Sequence, residues 1–465
     1  MTDKLRKFDT IELEIEDLAL TGKSIGHHNG MVIMADQGLP GERITCQITM
    51  LKRRYGFARF KELLRASPRR IEPRCANFKQ CGGCTWQNLE YADQVAYKTR
   101  FIQEALARIG KLSSIPIDPP VVSEEIFYYR NKMEYSFGHH DDDPAVGMHV
   151  RGRFDKVFDL KECYLQSENS VRALDIVRQS AIDLNIPFIN ERTGEGELRF
   201  LVVREGKLTG DFMLNLVTFN REFSGRDELF QRIIQGVPGL TSLFHTVNGK
   251  KANVAIGDEL SLIHGEPHLT EKIGDLEFRI TPFSFFQTNS RQTKVLYDVI
   301  KDHAAPTPGQ EVLDLFCGCG TISLYLARHV RRILGIELNP ESIVMANANA
   351  ELNEISNVEF IAGDVRKLLV ELTNSGRHFD TIITDPPRAG METKAIQRIV
   401  RLQADKIVAV SCNPATLARD LELFAEAGYI TQRVTPVDMF PQTAHIEAVA
   451  TLLRDPNFKP VEPSE

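Results

Sequence analysis

From Gly309 onward the sequence alternates strictly between short apolar runs and amphipathic stretches: EVLDLFC then TISLYLARH, RILGIEL then PESIVMANANAEL, NVEFIAG then VRKLLVELT, FDTIITD then METKAIQRIV, and KIVAVS then PATLARDLELFAEA. Apolar runs without polar alternation read as strands buried on both faces, and each is followed by a segment able to cross back over a sheet. The pattern predicts a mostly parallel, doubly wound α/β sheet. Two further strand-like segments, YITQRVTPVD and HIEAVATLL, have no helix between them and are expected to pair antiparallel, completing a Rossmann-like, seven-stranded mixed sheet.

The strand ends carry the residues of a ligand site. Asp314-Leu-Phe-Cys-Gly-Cys-Gly320 closes the first strand and opens the first helix, and its glycines let the backbone approach a ligand closely. Glu337 closes the second strand, 19 residues after Gly318, where a carboxylate accepts hydrogen bonds from two ribose hydroxyls. Asp364 follows the third strand and Asp385 the fourth. Together they predict a nucleoside cofactor, with Asp314 alternatively a loop brace and Asp364 alternatively a helix cap. Neither GxGxxG nor GxxxxGK[ST] occurs, so cradling of a pyrophosphate or triphosphate is poorly supported. S-adenosylmethionine (SAM) carries no phosphate and fits that gap, with Phe316 either along it or in the core. The strand pattern with its end hairpin also looks like the SAM-dependent methyltransferase fold more than a dehydrogenase.

Asp385-Pro-Pro-Arg388 follows the fourth strand and Ser411-Cys-Asn-Pro414 the fifth, both at carboxyl ends where open α/β sheets transform ligands. Asn413 suits a helix N-cap and Pro414 the first helical position, with Leu417, Leu421 and Phe424 as the buried stripe. Cys412 then sits at a helix N-terminus, which is expected to favour the thiolate; the alternative is an inert buried thiol. A methyl-transferring site needs such a nucleophile when the acceptor carbon is electron-poor, as carbon-5 of a pyrimidine is. Thiolate addition at carbon-6 makes carbon-5 nucleophilic, and after methylation a base must remove the carbon-5 proton before the cysteine can leave. Glu447, in Phe440-Pro-Gln-Thr-Ala-His-Ile-Glu447, is the candidate base; His445 competes, and an ordinary surface carboxylate is the bland alternative.

The N-terminal part has another character. Residues 10–50 read as short alternating strands (IELEIEDL, MVIMAD, RITCQITM) with Gly-rich turns, a small OB-like β-barrel. A net charge of −7 excludes a protein basic all over, so any nucleic-acid contact must be local. Residues 43–74 supply a local patch: ten Lys/Arg against two acids, Glu62 and Glu72, with Tyr55 and Phe57 as stacking faces. A solvated charged linker is the alternative, but bases that follow β segments favour an RNA-binding barrel. Residues 128–280 are again β-rich, with LRFLVVRE and LTGDFMLNLV as a hairpin and one helix in SENSVRALDIVRQSAIDL, while 92–109 reads as a helix. No apolar run reaches the roughly 18–20 residues of a membrane span, and the N-terminus lacks a signal-peptide core. A cytoplasmic monomer with no membrane association and no obligate protein partner is expected.

Cys75-x5-Cys81-x2-Cys84, with Cys163 distant, offers four soft ligands, and by spacing alone a structural tetra-thiolate zinc site is indicated. Gln287-Thr-Asn289, DLFCGCGT, Asp385-Pro-Pro-Arg, Ser-Cys412-Asn-Pro and His-Ile-Glu447 together resemble the RNA uracil-5-methyltransferase family, the RumA and TrmA relatives. The resemblance covers nearly the whole chain: the barrel is similar to a TRAM domain and Tyr129-Arg-Asn-Lys-Met-Glu134 to the family's central-domain motif. It implies SAM as methyl donor, Cys412 as nucleophile and Glu447 as proton acceptor, with Gln287, Phe316, Thr321, Glu337, Asp364 and Asp385 contacting the cofactor. It also implies that Cys75, Cys81, Cys84 and Cys163 hold a [4Fe-4S] cluster, as in the RumA-type branch. The RNA implied is 23S rRNA, with a tRNA uridine as the alternative. The expected layout is a TRAM-like barrel at 1–70, a cluster-bearing central domain at 71–91 and 125–275, and a methyltransferase domain at 92–124 and 276–465.

Overall fold

The computed structural model describes residues 5–141, 143–250 and 254–458. The alternation after Gly309 folds into a seven-stranded sheet whose strands, in chain order, are β1 (Glu311–Leu315), β2 (Arg332–Glu337), β3 (Val358–Ala362), β4 (Thr381–Thr384), β5 (Lys406–Ser411), β6 (Tyr429–Val437) and β7 (Glu447–Arg454). Their spatial order is β3-β2-β1-β4-β5-β7-β6. The first five run parallel, while β7 lies antiparallel to both neighbours. The terminal antiparallel pair is as expected. That β7 rather than β6 adjoins β5 is not visible in the pattern, and it brings the start of β7 beside the end of β5.

Successive residues on these strands feed two apolar layers. Val312, Ile333, Ile383 and Val408 pack with helices Ser290–Ala304, Thr321–Ala327 and Pro340–Leu352. Leu313, Leu334, Ile382 and Ile407 pack with Val365–Asn374, Thr393–Arg401 and Pro414–Glu426. Burial on both faces explains why the strands read as continuous apolar runs. Helix Tyr91–Arg108 joins the second layer through Ile102, Ala105 and Leu106, and Ile117 and Val121 form parallel bridges to β6. Helix Ser290–Ala304 was not anticipated, although Asn289 caps it by accepting from the Gln292 amide and Leu296, Tyr297 and Ile300 form its buried stripe.

Upstream lies a second seven-stranded sheet in which Leu198–Glu205 and Phe212–Thr218 pair antiparallel, as the hairpin reading requires. It is covered by the expected helix Glu168–Asp183 and by a second, Arg226–Gly236, whose largely polar sequence hides a short stripe of Leu229, Phe230 and Ile233. Strands Leu269–Ile273 and Leu276–Ile280 form a separate hairpin turning at Gly274, and Leu269, Ile273, Leu276, Phe278 and Ile280 pack into the catalytic core. The boundary expected after residue 275 falls inside this turn, because the alternation of the two strands says nothing about which core they join.

The N-terminal sheet has six strands, from Thr10–Glu14 to Tyr55–Arg65, closing on Leu13, Ile33, Ile44, Cys46 and Ile48. No helix among the described residues is long and apolar enough to cross a membrane.

Candidate active site

The carboxyl ends of β1 to β5, being parallel, fall on one edge of the sheet, where open α/β sheets bind ligands. After β1 the chain passes through Phe316 at φ 67°, a left-handed conformation rare for a bulky residue, and then Gly318 at φ 53°. A Cβ on Gly318 would meet nothing within 4 Å, so this backbone borders open space. Gly320 differs: a Cβ there would lie 2.7 Å from the Phe360 ring, so its bareness serves packing. Glu337 holds the loop, accepting from the Gly318 amide at 3.2 Å and the Asn339 amide at 2.9 Å.

Asp314 is buried and braces the loop by accepting from Ser323 Oγ at 2.6 Å, while its Oδ1 has no partner. Burial, with Asp385 and Glu337 nearby, pushes its carboxyl up to about 7. An open glycine cradle beside an unpartnered buried carboxylate oxygen suits a ligand rich in hydroxyl and amine donors, as a nucleoside with an amino-acid tail is. Gln287 is buried, and its carbonyl accepts from Asn131 Nδ2 at 2.8 Å. Phe316 is half-buried against the core. Thr321 Oγ1 is engaged with the Tyr297 hydroxyl at 2.6 Å. Asp364 is a helix cap: it accepts from the Arg366 amide at 2.8 Å and from its guanidinium at 2.7 Å, a pairing that holds the carboxyl down to about 2.

Ser411 at the end of β5 pairs with Ala448 in β7, so the antiparallel register carries Cys412 and Glu447 to adjoining positions one step further on. Asn413 caps helix Pro414–Glu426 through Ala415, and its Nδ2 donates to the Arg388 carbonyl at 3.1 Å, tying the Ser-Cys-Asn-Pro loop to Asp385-Pro-Pro-Arg388. The expectation that the helix N-terminus favours the thiolate is opposed by the surroundings of Cys412. Burial pushes the Cys412 thiol up to about 11, helped by Glu447 and Asp385 and opposed by Arg388. Burial first, with two carboxyl groups nearby, opposes the cation and the helix end. Glu447 and Asp385 are themselves raised, by burial and, for Glu447, by Asp385. His445 is exposed at the rim, and desolvation of its ring with Arg388, Lys98 and Arg130 nearby lowers it to about 4. Phe285, 67% exposed beside Gln287, and the Arg388 contact to the thiol received no role from sequence.

The loop 438–446 that leads into Glu447 is held from distant parts of the chain. Lys98 Nζ donates to Asp438 at 2.8 Å and to the Phe440 carbonyl at 3.0 Å, both charged side chains being fully buried. The Tyr129 hydroxyl donates to the Pro441 carbonyl at 2.9 Å, and the Gln442 amide donates to Gln94 Oε1 at 2.9 Å. The Thr85 amide donates to the Gln442 carbonyl at 2.8 Å. One sequence signal was present: Lys98 lies on the same helical stripe as Val95 and Ile102.

Cys75, Cys81, Cys84 and Cys163 are all free thiols lining one cavity with Phe78, Met133, Met148 and Leu160. Burial raises all four, Cys75 to about 11 and Cys84 to about 12, with neighbouring thiols of the set adding to the effect for both. Four convergent sulfurs in an apolar shell fit a cationic thiophilic centre. No three of the sulfurs lie within 4.8 Å of one another.

The basic run is narrower than its composition. Arg43 and Arg65 pair with Glu14, Arg69 with Asp93, and Arg70 with the buried Glu42. Arg74 lies over the rings of Phe127, Tyr128 and Tyr164. Lys52, Arg53, Arg54, Arg59 and Lys61 are exposed, with no carboxylate within 4 Å among the described residues. Lys52, Arg53 and Arg54 form the turn between the last two barrel strands, and Arg59 and Lys61 lie further along the final one.

The chain is similar to known proteins. The model of the tRNA (Uracil-5-)-methyltransferase family matches residues 266–455, and that of the TRAM domain matches 4–61. An RNA methyltransferase of Halalkalibacterium halodurans is 39% identical over 448 residues, covering 96% of this chain and 98% of the relative. One from Chlorobaculum tepidum is 40% identical over 471 residues, covering 97% and 98%. The crystal structure of Pyrococcus abyssi tRNA (uracil-54, C5)-methyltransferase with S-adenosyl-L-homocysteine superposes with a TM-score of 0.77 at 30% identity, covering 95% of this chain and 99% of that one. Sheet order, cleft and barrel thus define a SAM-dependent RNA methyltransferase. Within that class, the chain belongs to the RNA uracil-5-methyltransferase family, whose reaction takes its methyl group from SAM.

Proposed function

We propose that the chain methylates carbon-5 of a uridine in 23S rRNA, with Cys412 as nucleophile and Glu447 as base. The adjacency of these two residues across the β5–β7 ladder, at the mouth of the cofactor cleft, carries the reading. Bound SAM supplies an electrophilic methyl carbon. Cys412 loses its thiol proton to solvent, Sγ bonds to carbon-6 of the uracil, and the electrons of the carbon-5 to carbon-6 double bond move toward the O4 carbonyl, leaving carbon-5 able to take the methyl group. Glu447 then removes the carbon-5 proton, the double bond re-forms and the carbon-6 to Sγ bond breaks. A carboxylate raised by burial is a better base near neutrality than an exposed one, whereas His445, lowered to about 4, is weaker. Gln287, Phe316, Thr321, Glu337, Asp364 and Asp385 line the SAM space in this reading.

The four cysteines are read as the ligands of a [4Fe-4S] cluster. The four sulfurs converging on one cavity with an apolar lining support a thiophilic centre there. The layout with the barrel before residue 70, the quartet and second sheet between, and the catalytic sheet last is part of the same reading.

The Pyrococcus abyssi protein is a tRNA (uracil-54, C5)-methyltransferase, and its match along 95% of this chain supports a second reading, methylation of a tRNA uridine. Transfer of labelled methyl from SAM to a 23S rRNA fragment and to tRNA transcripts separates the two. Mass-spectrometric mapping of 5-methyluridine in RNA from cells lacking the protein identifies the site. Label in tRNA with none in 23S rRNA overturns the ribosomal reading.

A further inference from the structure

The turn at 150–156, in the sequence Val150-Arg-Gly-Arg-Phe-Asp-Lys156, presents Phe154 with 74% of its surface in solvent. Exposing a phenyl ring this far sacrifices apolar burial, and the ring is not on a loose loop. The Val150 amide donates to the Lys156 carbonyl at 2.9 Å and the Arg153 amide to the Val150 carbonyl at 2.8 Å. Val150 bridges to Cys81, and the Arg151 guanidinium donates to the carbonyls of Cys81 and Cys84 at 2.8 Å and of Asp36 at 3.2 Å. The turn is therefore clamped between the cysteine quartet and the barrel. Arg59 of the barrel reaches it: its Nη2 lies 3.4 Å from the point where a Gly152 Cβ would stand.

The local charge balance is positive. Arg153 and Arg192 both pair with Asp155, Lys156 pairs with Asp141, and Arg59 has no carboxylate within 4 Å among the described residues. Rigid, solvent-facing aromatic surface next to unpaired guanidinium is the arrangement that stacks an unpaired base while holding its phosphate. A protein partner would more readily use a contiguous apolar patch; here one ring stands among cations.

We propose that Phe154 and Arg59 form a stacking and phosphate contact for an unpaired nucleotide of the substrate RNA, at a subsite outside the catalytic cleft. The proposal rests on the reading of the chain as an RNA methyltransferase. It also gives the quartet a mechanical task, bracing the turn that presents the ring.

The test uses the full-length protein with its metal content intact. Phe154→Ala should weaken binding of a single-stranded dodecauridylate about tenfold while leaving the salt slope unchanged, because stacking releases no counterions. Arg59→Gln should lower that slope by about one. In methyl transfer, the loss should fall on KM for RNA and not on kcat. Phe154→Trp should restore affinity and add an exposed indole to a chain whose one native tryptophan, Trp86, is buried; dodecauridylate should quench its fluorescence, and an RNA duplex of equal length should not. Unchanged affinity and KM in Phe154→Ala, with no quenching in Phe154→Trp, overturns the subsite even if the wild type methylates RNA normally. Quenching by oligonucleotide in a protein that methylates no RNA would uphold the subsite and sink the methyltransferase reading.

Discussion

Cys412 and Glu447 stand side by side although 35 residues separate them, because Ser411 pairs with Ala448 and the antiparallel ladder carries both one step past that pair to the mouth of the cleft. The proposed nucleophile and base are thus placed by one register. Removing either should give a distinct failure. Cys412→Ala abolishes methyl transfer while SAM affinity, measured by calorimetry, stays within about twofold, since the thiol acts on the base and not on the cofactor. Glu447→Gln accumulates a denaturation-resistant protein–RNA adduct on a gel, because carbon-5 keeps its proton. Turnover by the first variant, or no adduct with the second, rejects these roles.

The thiol raised to about 11 sets a pH dependence. Because kcat/KM reports the free enzyme, it should climb close to tenfold per unit between about pH 6 and 9 as the thiolate fraction grows. A plateau beginning below neutrality would mean that the thiolate is already formed before RNA binds.

Asp314 gives a stability prediction of opposite sense to the usual surface carboxylate. Its folded value, about 7, lies above the ordinary 3.8, so the folded chain keeps a proton that the unfolded chain loses. Stability is full at acid pH and declines as pH rises through that window, by up to roughly 4 kcal/mol without SAM. Asp314→Asn should flatten this decline in urea titrations at about pH 5 and pH 8. Parallel declines in variant and wild type would refute it.

Lys98 and Asp438 form a fully buried ion pair that fixes the loop ahead of Glu447. Lys98→Met leaves a buried carboxylate unpaired, so the denaturation midpoint should report a loss of about 3 kcal/mol. At temperatures where this variant remains folded, kcat should fall with the loosened loop. A loss under about 1 kcal/mol would place the pair outside the framework.

Cys81→Ser should lose iron and sulfide and lower the thermal midpoint, since a site formed by folded residues couples binding to folding. It should also reduce the brown absorbance of protein purified without air. Stoichiometric zinc and no iron in the wild type would replace the cluster with a zinc site.

Much of this molecule was legible because its signals are local. The uninterrupted apolar strands required helices on both faces, and Asn413 with Pro414 started a helix where a strand ended. The spacing from Gly318 to Glu337 put a carboxylate beside a glycine turn, where it now accepts the Gly318 amide. Asp364 was readable both as a ligand and as a cap, and the Arg366 amide bears out the cap. Helix Arg226–Gly236 was passed over because its apolar stripe is three residues wide in a polar sequence.

The sequence by itself determined the class of sheet, the identity of the residues at its strand ends and the basic turn of the barrel, because each follows from spacing within one segment. Only the tertiary structure decided that β7 enters beside β5, that Lys98 anchors the loop before Glu447, and that burial pushes the Cys412 thiol upward. Pairing, desolvation and the field of neighbouring charges depend on which distant segments meet, and no spacing along one chain encodes that directly.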